Sequence, residues 1–97
     1  MNHQNILNIA TRIAGTKHYT FNVPEIGDKV ILIHNPFNKK DTSAIMILNR
    51  QLQQLGHLTT LGGFNKRIGD LINWQPHTAT VTEVFSEFGE VFIKIDS

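Results

Sequence analysis

Polar and apolar residues alternate most clearly near the end of the chain, over residues 78–96. The β-branched run Thr78, Thr80, Val81, Thr82 and Val84 leads into Ser86-Glu87-Phe88-Gly89, after which Val91, Ile93 and Ile95 alternate with Glu90, Phe92, Lys94 and Asp96. Successive side chains of a strand point to opposite faces, so period two beside a glycine-containing turn predicts a β-hairpin. Val91, Ile93 and Ile95 are then expected inside, which leaves Phe92 on the polar face. A second strand is predicted at residues 29–34. There Val30, Ile31, Leu32 and Ile33 run on without a polar break, as suits mid-sheet or a sharp barrel bend. Ile26-Gly27-Asp28 turns the chain into it, and Asn35-Pro36-Phe37-Asn38 turns it out. Tyr19, Phe21 and Val23 alternate with His18, Thr20 and Asn22 to give a further short strand, ended or held to an edge by Pro24.

Two segments show helical spacing instead. In residues 5–14, Ile6, Ile9, Ala10 and Ile13 fall on one face beside Leu7, with Gly15 as a C-terminal cap and Arg12 and Lys17 at the negative end of the dipole. This predicts an N-terminal amphipathic helix packed on the sheet. Residues 41–55 predict a central helix: Asp41, Thr42 and Ser43 are competent N-caps, Ile45, Leu48, Leu52 and Leu55 share a face, and Gly56 follows as a cap. Within it, Ala44-Ile45-Met46-Ile47-Leu48 also reads as a buried strand, since short apolar runs fit both periods. From residue 57 to 75 the pattern weakens, with Leu58-Thr59-Thr60-Leu61 as a strand, Gly62-Gly63 as a turn, and residues 68–74 as strand or a short helical turn.

Ninety-seven residues suit a single domain, in which 40% hydrophobic and 18% charged residues fit a folded chain and not a disordered one. The absence of cysteine removes disulfides, thiolate metal sites and cysteine nucleophiles, and fits a cytoplasmic, reducing setting. The polar start and the interruptions at Asn8, Thr11 and Arg12 give neither a signal peptide nor a membrane span. Charge is uneven. Through Arg67 eight Lys or Arg oppose Glu25, Asp28 and Asp41, for +5, and beyond it Lys94 opposes Asp70, Glu83, Glu87, Glu90 and Asp96, for −4. Such polarity is either ordinary solvated surface or a means of steering an acidic partner or a second copy head to tail.

The most suggestive pattern is a near-repeat, Phe37-Asn38-Lys39-Lys40 and Phe64-Asn65-Lys66-Arg67, placed on either side of the expected central helix. Each joins an aromatic ring to two cations. Cations neutralise phosphates and rings stack on unpaired bases, so Phe37, Lys39, Lys40, Phe64, Lys66 and Arg67 are candidate contacts to nucleic acid or an acidic protein surface. The plain alternative is two solvated turns with buried rings. Ile-Gly-Asp also recurs, at residues 26–28 and 68–70, in an order that does not establish a duplication.

Catalytic motifs are missing. His3, His18, His34, His57 and His77 lack local metal-ligand spacing, although His18, His34 and His77 would meet if their strands were neighbours. No nucleophile elbow, phosphate loop or zinc-protease pattern occurs, so no catalytic residue, metal or cofactor is assigned. Three residues are candidate pocket walls: Tyr19, Trp74, and His34 at the end of the most apolar strand, where a nearby carboxylate would make it an acid or base. Trp74 is either a core cap or an aromatic anchor. Phe88 at the hairpin tip and Phe92 on its outer face are candidate interface residues, to be covered by a helix or a homo-oligomer contact.

The strand grammar of Gly27-Asp28-Lys29-Val30, Ala79-Thr80-Val81-Thr82-Glu83-Val84 and Phe92-Ile93-Lys94-Ile95-Asp96 resembles that of SH3-like small barrels. The resemblance covers only the strand segments and implies a binding module for peptide, protein or nucleic acid. The expected fold is thus α+β: a small antiparallel sheet, an SH3-like, partly open barrel, with an N-terminal and a central helix. The expected role is a non-enzymatic binding or adaptor domain. Its alternatives are a structural subunit of a homo-oligomeric, phage or mobile-element assembly, and a small-molecule binder with a pocket between helix and sheet.

Overall fold

The computed structural model describes residues 8–19 and 22–97. Among these residues six strands form one antiparallel sheet: β1 (Ala10–Ala14), β2 (Lys29–His34), β3 (Ile45–Leu48), β4 (Gln54–Leu58), β5 (His77–Phe85) and β6 (Glu90–Ile95), with one α-helix, α1 (Phe64–Leu71), between β4 and β5. The sheet closes on itself in the order β1-β4-β3-β2-β5-β6. The expected small barrel is therefore present, but fully closed and not partly open, because β1 pairs with β6 on one side and β4 on the other.

The predicted hairpin is β5 and β6. Its turn is closed by the Phe88 amide donating to the Phe85 carbonyl at 3.0 Å, with Gly89 in the left-handed conformation at φ 65°. Val91, Ile93 and Ile95 are buried, as the alternation requires. β2 lies between β3 and β5, Val30 and Leu32 facing the core while Ile31 and Ile33 are half-buried on the other side.

Both expected large helices are corrected to strands. Of residues 5–14, the first three lie outside the described residues, and Ala10–Ala14 is β1, with Ile13 buried and Arg12 exposed. Ile9, Thr11 and Ile13 are β-branched at spacing two, so the segment carries a strand pattern beneath the helical one. Residues 41–55 split into a loop, β3, a turn and the start of β4. Ile45 and Ile47 point inward by the period-two rule, and the turn is built by Asn49, whose side-chain oxygen accepts the amides of Gln51 and Gln53 at 2.9 Å each. Leu52, assigned to the helix face, sits at φ 64° and is exposed. A side chain that holds its own turn competes directly with helix. The expected strand over residues 18–23 is also corrected: Thr16–His18 is a 3-10 turn, Asn22 and Val23 are irregular, and Thr20 and Phe21 lie outside the described residues. Of Leu58-Thr59-Thr60-Leu61 only Leu58 belongs to a strand, and the short helical alternative at residues 68–74 is met by the end of α1.

Helix α1 and its C-cap add Ile68 and Ile72 to the barrel core. After it, Asn73 and Trp74 both take positive φ, 55° and 58°, which folds the indole back over the helix. Gly69 makes this possible, since a Cβ there would stand 2.3 Å from the Trp74 ring. The indole N–H donates to Asp70 at 3.2 Å, and its ring packs against His34 at 4.6 Å between centroids, tilted by 50°.

The uneven charge is partly consumed inside the fold. Arg12 pairs with Glu90 at 2.5 Å and Lys29 with Asp96 at 2.9 Å, each joining the basic part of the chain to the acidic part. Asp96 also accepts hydrogen bonds from the Thr78 and Thr80 hydroxyls. Burial alone would raise its pKa, but the bonds from Thr78, Lys29 and Thr80 and the Lys29 charge together lower it.

Candidate functional site

The near-repeat is brought together in space. The first copy lies in the loop from β2 to β3 and the second opens α1. Asn65, 1% exposed, donates from its amide to the Asp41 carboxylate at 3.0 Å and to the Ser43 carbonyl at 2.9 Å. In the first copy, the corresponding Asn38 accepts the amides of Lys40 and Asp41 at 2.9 and 3.0 Å. The two asparagines thus converge on one residue, Asp41, whose other oxygen accepts the Ser43 amide at 2.8 Å. A buried amide without partners costs about 1–3 kcal/mol, so these bonds set the relative position of loop and helix.

Between them lies a groove of about 760 Å³. The loop contributes Asn35, Asn38, Lys40 and Asp41, the paired strands β3 and β4 contribute Met46 and His57, the helix start contributes Asn65 and Lys66, and Tyr19 adds a ring. Lys40 and Lys66 are exposed and neither takes part in an ion pair among the described residues. Two free ammonium groups and a phenol on one concave face suit a ligand that is anionic and aromatic together.

The other expected contacts are divided. Phe37, 90% exposed, stands at the tip of its loop. Lys39 and Arg67 are exposed outside the groove lining. Phe64 is half-buried against the core, with the Arg67 guanidinium 5.9 Å above its ring. Of the three candidate pocket residues, Tyr19 lines the groove, whereas His34 and Trp74 form a separate tilted pair outside its lining. His34 Nε2 lies 2.8 Å from the Thr42 carbonyl, so that nitrogen carries the proton and donates, anchoring the loop from behind. Among the described residues no three His, Asp or Glu side chains gather as a metal site, and no helix is long and apolar enough to cross a membrane.

Three groove residues, Asp41, Asn65 and His57, are not singled out by the sequence pattern. The asparagine shared by both copies is the visible signal for the first two. His57 stands out in the sequence only as one of five scattered histidines, and it reaches the groove because β4 pairs with β3.

No family model matches the chain, and no curated protein matches it. Two solved structures share its fold. One is a protein from Lactobacillus plantarum, with a TM-score of 0.69 and 16% identity over 89% of this chain and 87% of that one. The other is the HIRAN domain of human HLTF, with a TM-score of 0.71 and 19% identity over 90% of this chain and 73% of that one.

Proposed function

We propose that the groove binds single-stranded nucleic acid and that the chain is a non-enzymatic binding module. The observation that carries this reading is the Asn65–Asp41 link, which sets Lys40 and Lys66 on the same concave face as Tyr19. The ammonium groups take successive phosphates and the phenol takes an unstacked base. Phe37, fully presented at the loop tip, extends the stacking surface, and the exposed Lys39 and Arg67 add positive charge outside the groove lining. A base still paired in a duplex offers no free face to a ring, which favours single strands over double. The SH3-like resemblance, with its implied role as a binding module, agrees with this use of the loops.

The test is a fluorescence-anisotropy titration with a labelled thymidine oligonucleotide over a range of salt. Binding should weaken as salt rises, and Lys40→Gln with Lys66→Gln should flatten the dependence by about 0.7 in log–log slope for each phosphate no longer neutralised. Absence of binding at low salt, or binding unchanged in the double variant, defeats the reading.

A further inference from the structure

The strand register carries the β5–β6 turn away from the β2–β3 loop that bears Lys40, while Tyr19 at the groove's opposite wall also lines the cleft beside Ser86 and Gly89. Lys40 follows the end of β2, whereas β5 pairs with β2 only from His77 to Thr80 and then runs on to Phe85. Beyond Val81, β5 pairs with β6 alone, and the turn between them is held to the segment after β1 by the Thr16 hydroxyl donating to the Gly89 carbonyl. The tip carries Phe88, 74% exposed, and Phe85, 45% exposed, whose ring is braced edge-on by Phe92 at 5.8 Å and 88°. Glu90 is tied to Arg12, but Glu83 and Glu87 are exposed and outside every ion pair of the described residues. An ordered ring beside an unpaired carboxylate presents the chemistry of a base beside a phosphate.

We propose that the hairpin tip of one copy, led by Glu87 and Phe88, seats in the basic groove of a second copy, so that the chain associates head to tail and covers its own ligand site. The proposal rests on the reading of the groove as a site for anionic, aromatic ligands, because it gives the same lysines and the same ring a second occupant of that kind. Charge supports this partner: Glu83 and Glu87 meet Lys40 and Lys66, the complement that steers and holds association. The tip cannot serve its own groove, since both of its strands are fixed in the barrel wall. The contact is heterologous, tip to groove, so copies add in sequence, as an open chain or, where the rotation closes, as a ring. Oligonucleotide and self-association compete, and both weaken as salt rises.

Sedimentation of the full 97-residue chain tests this. The wild type should show a mass above its 11.0 kDa monomer that rises from micromolar to millimolar protein and falls at high salt. A tip variant, Glu87→Gln with Phe88→Ser, and a groove variant, Lys40→Gln with Lys66→Gln, should each remain monomeric with an unchanged circular dichroism spectrum. Mixed together, they should form a one-to-one dimer that grows no further, because only one intact tip and one intact groove remain. A wild type that stays monomeric throughout, a tip variant that associates like the wild type, or a mixture that fails to pair overturns the proposal. The thymidine oligonucleotide separates this from the groove reading. The tip variant should bind it at least as well as the wild type at low protein concentration and better at high concentration. If oligonucleotide binds in the groove while the wild type stays monomeric, head-to-tail association fails alone. If copies assemble through tip and groove without binding oligonucleotide, the nucleic-acid reading fails alone.

Discussion

Phe37-Asn38-Lys39-Lys40 and Phe64-Asn65-Lys66-Arg67 are nearly the same four residues put to opposite structural uses. In the first, the asparagine folds its own loop and the phenylalanine is left in solvent. In the second, the asparagine is buried and bonds Asp41 and Ser43 in the loop just after the other copy, and the phenylalanine rests on the core. The difference comes from the residues next in the chain. Asp41-Thr42-Ser43 leads into β3 through a loop, while Ile68 and Ile72 give the second copy an apolar face that must join the core. One copy therefore presents its contacts to a ligand, and the other supplies the frame that aims them.

The largest expected effect lies in the framing copy. Asn65→Ala removes two bonds and leaves the Asp41 carboxylate short of a partner, so it should destabilise by about 2–3 kcal/mol in urea unfolding, whereas Asn38→Ala should cost about 1 kcal/mol. Equal losses would erase the distinction between frame and loop. Phe64→Ala should cost about 2 kcal/mol of stability, while Phe37→Ala should leave the unfolding midpoint unchanged and weaken oligonucleotide binding by about 1–2 kcal/mol. A destabilised Phe37→Ala would mean that the exposed ring also serves the fold.

A smaller effect provides a control outside both copies. Asp96→Asn should cost about 1 kcal/mol near neutral pH without altering oligonucleotide affinity. The lowered pKa of Asp96 fixes the sign of its pH dependence. Its contribution is present above the ordinary carboxylate value of 3.8 and is lost as pH falls through the lower folded value. The gap between wild type and variant should therefore narrow in acid, and unfolding measured at neutral and strongly acid pH checks it.

The sequence made the hairpin legible because Val91, Ile93, Ile95 and Gly89 agree on one structure. Residues 41–55 misled because Ile45, Leu48, Leu52 and Leu55 satisfy helical spacing while Ile45 and Ile47 satisfy the strand period. The deciding influences are non-local: β2 offers a pairing edge, and Asn49 spends its side chain on a turn. The N-terminal segment misled similarly, since Ile13 is buried only when β4 and β6 flank it. The basic loops were visible as composition, and their meeting was not, because it depends on an amide that reaches from α1 to Asp41. The placing of Trp74 depends likewise on Gly69, whose missing side chain matters only once the chain has turned back over it.

Closure of the barrel has a consequence for how this molecule meets others. Among the described residues the six strands join into a closed ring, so only short stretches, such as residues 82–85 of β5 where it runs past β2, leave amides and carbonyls that a passing peptide could pair with. Recognition passes to side chains on loops and tips, which substitution can retune one residue at a time without disturbing the wall behind them.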